Sequence, residues 1–149
     1  MASILKRQPA PWHLWLVGAL ALLWNGFGAF DFTSTVLKGE DHLRAMGMGD
    51  QMISYFNSLP SWTYVPWGVG VWGGVIGAVL LLLRKRLSEL AFALSMIGAV
   101  ASQLISLFVF PPPNAGDGAT GNILMYAIIV IAVLFWLYAF SMKRRAVMG

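Results

Sequence analysis

The chain reads as an all-α polytopic membrane protein, a bundle of four transmembrane helices with a short amphipathic helix in its longest loop. Three observations carry that reading. Four uncharged apolar stretches, Pro11–Phe30, Trp62–Leu83, Leu90–Phe110 and Ile123–Met142, occupy most of the 149 residues, and each has the roughly 20 residues that cross a hydrocarbon core about 30 Å thick. Charged residues are only 11% of the chain against 58% hydrophobic, where an ordinary soluble domain carries about 25% charge. The apolar runs are also continuous. A membrane barrel would alternate polar and apolar positions over stretches of about 10 residues, and Ile76–Leu83 and Ile123–Leu134 do not. Backbone groups in lipid must pair within their own segment, so the spans are helices. Residues 1–149 form one domain, with spans at about 11–31, 62–83, 89–110 and 122–142.

Span one follows Lys6-Arg7. Its apolar run is too long for a secretory signal, and the small residues Ala19 and Ala21 fall in its middle instead of after it, so it is expected to be a retained helix. Pro11 suits the first helical turn. Asp31 is expected to close the span. Span two is built for close approach: Gly70 and Gly74, and Gly73 and Gly77, form two overlapping patterns of small residues four apart. Helices in lipid gain little from hydrophobic burial against each other and rely on such positions to bring backbones together. Span three offers Ala91, Ser95 and Ala99 on one strip with Gly98 and Ser102 beside it. Span four is bulky and apolar from Ile128 to Trp136 and is expected to face lipid most fully.

The loop between spans one and two carries a periodic stripe, Met48, Met52, Tyr55, Phe56 and Leu59, at helical spacing. Asp50 is a suitable helix start and Pro60 a stop. A short amphipathic helix with Met52, Tyr55, Phe56 and Leu59 as its apolar face is expected to lie in the interface or to lid the bundle over Asp31. The second loop, Pro111–Gly121, reads as a connector.

Charge sets the orientation. Eight of the ten Lys and Arg, with Glu89, lie on the side of the termini and the 84–86 turn; Lys38 and Arg44 share the other side with five acidic residues. The two faces therefore carry +7 and −3. The positive-inside rule then places both termini in the cytoplasm, and the expected location is a bacterial inner membrane. The basic clusters read as topology signals against anionic headgroups, in preference to a nucleic-acid or lipid-recognition surface. Trp12 and Trp15 at one boundary, and Trp62, Tyr64, Trp67 and Tyr126 at the other, read as interface anchors. Trp24 and Trp72 lie inside their spans, where packing across small residues of a neighbour is expected, with the lining of a cavity as the alternative.

The chain has no cysteine, which excludes disulfides, thiolate metal sites and thiol nucleophiles. It shows no HExxH, Gly-rich phosphate loop or GxSxG. His13 and His42 fall on opposite sides of the membrane, cannot share a metal, and read as surface groups. No enzyme activity, metal or cofactor is expected. The candidate polar site is Asp31 with Asn25, Trp24, Thr35 and Gln103. Asp31 is the one carboxylate inside a span, and an ionisable group there is a functional candidate by default. Trp24, Gly28 and Asp31 share a helical face, and Gln103 and Ser106 can approach it from span three. The same groups also read as helix-to-helix hydrogen bonds worth about 1 kcal/mol or less each.

Trp24-Asn25-Gly26-x-Gly28-x-Phe30-Asp31-Phe32-x-x-Thr35, then Tyr55-Phe56-x-x-x-Pro60-x-Trp62, then Val71-Trp72-Gly73-Gly74-x-x-Gly77 leading to Arg84, with Phe92-x-Leu94-Ser95 beyond, is similar to a family of small four-helix bacterial inner-membrane proteins of unknown function. Some members are labelled sugar transporter. The similarity covers about residues 24–95 and implies the four-span architecture. It departs at Phe32, where the family pattern has Tyr, which removes one phenol beside Asp31. Small size and glycine-rich faces lead to the expectation of an accessory or interaction protein in the bilayer, a homo-oligomer or a subunit bound to a membrane-protein partner. The alternatives are a transporter of a small solute such as a sugar, acting as an oligomer, and an intramembrane enzyme or sensor.

Overall fold

A computed structural model describes residues 6–113 and 119–149. Six α-helices follow in chain order: α1 (Trp12–Lys38), α2 (Glu40–Ala45), α3 (Asp50–Ser58), α4 (Tyr64–Leu82), α5 (Leu87–Leu104) and α6 (Ala119–Arg144). A 3₁₀ turn at Ser61–Thr63 leads into α4, and a π-helical turn at Ile105–Val109 extends α5. Four of these segments, α1, Ser61–Leu82, Leu87–Val109 and Ile123–Arg144, are long and apolar enough to cross a membrane. The protein is a multi-pass helical membrane protein, and no strand occurs among the described residues. α2 and α3 mark a loop end of the bundle; the 84–86 turn, the segment before α1 and the segment after α6 mark a terminal end.

The first span runs further than expected. Nothing in Asp31–Lys38 breaks a helix, so α1 continues to Gly39, which takes φ +57° and whose N–H bonds to the Thr35 carbonyl; a left-handed residue at that position ends a helix with little strain only as glycine. At 1.5 Å per residue the 27 residues of α1 extend about 40 Å, beyond the hydrocarbon thickness. Asp31 therefore sits within the helix and does not close it. The long loop holds two helices where one was expected. α2 was missed because Glu40–Ala45 is only six residues long, too short to show a period. α3 starts at Asp50 and ends before Pro60 as expected, with Met52, Tyr55, Phe56 and Leu59 half-buried. Its one fully buried residue is Ile53, at 3% exposure, which the expected stripe omitted.

α4 is the centre of the bundle, packed on α5 along one side and on α1 along the other, and α6 packs on α5. Its glycines explain why. A Cβ at Gly73 would stand 3.4 Å from the Ser95 backbone, one at Gly70 would stand 3.2 Å from the Ala99 nitrogen, and one at Gly77 would stand 2.9 Å from the Phe92 ring. A Cβ at Gly74 would overlap the Asn25 carboxamide on α1. Two hydroxyls tie α5 to α4: Ser95 Oγ donates to the Gly70 carbonyl (2.5 Å) and Ser88 Oγ to the Gly77 carbonyl (2.8 Å).

The terminal half holds the apolar core, in which Leu14 and Ala21 of α1 meet Ala78 and Leu81 of α4, Phe92 of α5 and Ala139 and Met142 of α6. Beyond α6 the chain folds back, burying Val147 and Met148 to 4% and 3% exposure. Arg84, with φ +58°, ties this fold-back down. Its guanidinium donates to the carbonyls of Val147 (2.9 and 3.1 Å) and Gln8 (2.5 Å), and its own carbonyl accepts from Gly149 N–H (2.9 Å). Lys143 Nζ (3.2 Å) and Trp136 Nε1 (3.0 Å) both reach Glu89, which clasps α6 to α5 at this end. Elsewhere the described residues of α6 are exposed or half-buried, and none from Ile123 to Tyr138 is fully buried.

Candidate functional site: an intramembrane cavity reaching Asp31

In the loop half the four spans separate around a cavity of about 350 Å³, within the range of small-molecule sites. Each span contributes one wall. α1 supplies Trp24, Asn25, Phe27, Gly28 and Asp31, α4 supplies Trp67, Gly70 and Val71, and α5 supplies Ser95, Ala99, Ser102 and Gln103. Leu124, Ile128, Ala132 and Phe135 of α6 close the remaining side, and Phe92 forms the floor toward the terminal core.

Four of the five expected polar-site residues, Asp31, Asn25, Trp24 and Gln103, line this space together. Thr35 does not: its hydroxyl donates to the Asp31 backbone carbonyl (2.8 Å), a local helix contact that leaves the carboxylate untouched. Asn25 is 9% exposed; its Nδ2 donates to the Ala21 carbonyl (2.9 Å) and the amide lies in the space left by Gly74. Ser102 and Gln103 make no side-chain hydrogen bond within the protein among the described residues, so their polar groups remain open to a ligand. Walls otherwise built of Phe, Val, Leu, Ile and Ala make the site amphiphilic, with Asp31, Ser102 and Gln103 toward the loop end and Asn25 and Ser95 deeper.

The carboxylate partner is a residue that spacing alone assigned to the surface. His42 is buried, at 7% exposure. Its Nε2 donates to Asp31 Oδ1 at 2.8 Å, and the Asp31 side chain remains 30% exposed at the cavity rim. The Phe30 ring meets the imidazole edge-on at 6.2 Å. The helix covering Asp31 is therefore α2, held by this bond, and not α3. Reading His42 as a surface group failed because Gly39 turns the chain back along α1, a reversal that brings residue 42 beside residue 31. The signal in the sequence was a glycine between an intramembrane acid and a histidine, three residues before the histidine.

α3 covers a different opening. Tyr55 Oη donates to the Phe110 carbonyl (2.7 Å), Tyr64 Oη to the Phe56 carbonyl (3.3 Å), and Trp62 packs on Phe110 with centroids 6.0 Å apart. Burial raises the Tyr55 phenol above its ordinary pKa, so it stays protonated and donating throughout the neutral range. Beneath α3 lies a vestibule of about 200 Å³ that shares Trp67, Ser102 and Gln103 with the main cavity. Ile105 and Ser106 of the π-helical turn form part of its wall; such turns are frequent at functional sites.

Phe32 packs edge-on against Trp67 at 5.0 Å. Trp67 also stacks on Tyr64 at 6.0 Å. Trp67 and Tyr64 are thus half-buried bundle residues, unlike the exposed Trp12, Trp62 and Tyr126. Trp24 and Trp72 are not packed inside, being 42% and 46% exposed. Trp24 edges the cavity, and Trp72 Nε1 donates to Thr33 Oγ1 (3.3 Å). His13, at the opposite end of α1 from Asp31, pairs its Nδ1 with Tyr138 Oη at 2.5 Å. Comparison with known protein families, with curated proteins and with solved structures gave no match to this chain.

Proposed function

We propose that this protein is a small non-enzymatic ligand-binding subunit of the bacterial inner membrane, which holds an amphiphilic small molecule in the cavity between its four spans. The observation that carries the reading is the convergence of Asn25, Asp31, Ser102 and Gln103 from two helices onto one apolar cavity. The polar end of the ligand faces Asp31 and Gln103, and its apolar body lies against Phe92, Ile128 and Phe135. An accessory role in an oligomer or a larger membrane complex fits the outer edge of the site. There the gap between α1 and α6, flanked by Leu23, Phe27, Ile131 and Leu134, is where a further membrane helix would seat. A second reading, transport of a small solute by an oligomer, is favoured by the vestibule that joins the cavity beneath α3.

The test is native mass spectrometry of protein extracted in mild detergent. Wild type is expected to retain a small non-lipid mass, and Ala132→Trp, which fills the cavity from α6, is expected to lose it while keeping its thermal stability. A wild type without any such mass, or equal retention by both proteins, would refute the proposal.

The proposed orientation has both termini cytoplasmic, supported by the uneven distribution of Lys and Arg. Single cysteines at Ser54 in α3 and at Lys85 in the 84–86 turn report on it without interference, since the chain has no cysteine of its own. In intact spheroplasts an impermeant thiol reagent should label Ser54→Cys and reach Lys85→Cys only after rupture. The reverse pattern would invert the topology.

A further inference from the structure

Three basic clusters far apart in the sequence meet at the terminal end of the bundle. Arg7, before α1, Arg86, before α5, and Lys143 and Arg144, in the last turn of α6, surround one depression of about 430 Å³. Their charges are not equally available. Arg84 is absent from the lining because its guanidinium is taken up by backbone carbonyls of the fold-back. Lys143 is shared with Glu89. Arg7 donates to the Arg84 carbonyl and has no carboxylate partner among the described residues. The Arg86 and Arg144 side chains are exposed and likewise have no carboxylate partner among the described residues.

The depression lies where a headgroup would be. Arg144 ends the membrane-spanning segment Ile123–Arg144, and its guanidinium stands 5.8 Å from the centre of the Phe140 ring. Phe140 and Leu137, one and two turns back along α6, are 37% and 45% exposed, so an apolar track runs from the cations into the hydrocarbon region. A basic pocket joined to such a track matches an anionic headgroup with its acyl chain attached. Guanidinium groups bind phosphate oxygens with paired donors.

We propose that this pocket binds the phosphodiester of an acidic phospholipid from the adjoining leaflet, with Arg86 and Arg144 as its main ligands and the acyl chain along Phe140 and Leu137. This goes beyond the topological effect of positive charge, which acts on net charge near the membrane ends and is indifferent to which arginines face one pocket.

The experiment is native mass spectrometry of the full-length protein in detergent, titrated separately with dioleoylphosphatidylglycerol and dioleoylphosphatidylcholine. Wild type should prefer phosphatidylglycerol by about tenfold. Arg86→Gln with Arg144→Gln should abolish that preference, whereas Lys6→Gln with Lys85→Gln, the same charge lost on the same face outside the pocket, should preserve it. Arg86→Gln alone, which removes an exposed side chain with no protein partner, should lower the preference and serves if the double variant does not fold. Absence of a preference in wild type would overturn the proposal, as would an equal loss in the two double variants. Competition by soluble glycerol 1-phosphate at equal concentration would overturn the lipid as the source of the phosphate.

Discussion

Gly98→Ala is expected to destabilise the protein by about 1–3 kcal/mol, the usual cost of overpacking a close-packed contact. A Cβ at Gly98 would stand 2.7 Å from the Gly70 nitrogen and 2.7 Å from the Pro66 carbonyl oxygen. These are backbone atoms of α4 and cannot swing aside as a side chain can, so α4 and α5 must separate along their length. Separation would also strain the Ser95 bond to the Gly70 carbonyl, which lies beside the contact. Gly26→Ala on α1 is the internal control, because nothing lies within 4 Å of its Cβ position. There the better helix propensity of alanine should leave stability unchanged or raise it by up to about 1 kcal/mol. Unfolding by sodium dodecyl sulfate titration reads the difference; equal responses would mean that the α4–α5 contact does not govern stability.

The bond between His42 and Asp31 carries the second large effect. His42→Leu should cost about 1.5–3 kcal/mol, the range for a hydrogen bond to a charged group, and should release α2 from the bundle. Hydrogen exchange of the α2 amides and trypsin cleavage after Arg44, an exposed residue, should both accelerate. Asp31→Asn keeps an acceptor for Nε2 and should be milder. A double-mutant cycle with Asp31→Leu and His42→Leu should return a coupling of at least about 0.5 kcal/mol. Unchanged exchange in α2, with no coupling, would show that the bond does not hold the helix.

The parts of this molecule that the sequence made legible are those governed by a repeating solvent constraint. Four spans follow from hydrocarbon thickness, and the glycines of α4 follow from the need for close approach in lipid. The start of α3 at Asp50 and its end before Pro60 follow from local backbone chemistry. The site was legible in its members but not in its wiring. Asn25, Asp31 and Gln103 stood out because polar groups inside spans are scarce. The His42 contact did not, because it depends on how Gly39 redirects the chain, and one φ angle decides whether residue 42 turns toward α1 or away. Thr35 was grouped with the polar site, yet its hydroxyl donates to the backbone carbonyl one turn back. The pairing of Gly98 with Gly70 was hidden for a related reason: small-residue strips show which faces can approach, and only the crossing geometry shows which two residues touch.

α6 is fastened at one end. Glu89 clasps it through Lys143 and Trp136, Tyr138 meets His13, and Ala139 and Met142 enter the core, whereas toward the loop end Leu124, Ile128 and Ala132 face the cavity. Mechanically it is a cantilever anchored in one leaflet and loaded in the other. A bilayer that thickens or thins changes the tilt a helix of fixed length must adopt, and a beam clamped near Lys143 would pass that tilt to the half that lines the cavity. Retention of a guest in the cavity is therefore expected to vary with the acyl-chain length of the surrounding lipid, which native mass spectrometry from bilayers of different thickness would read.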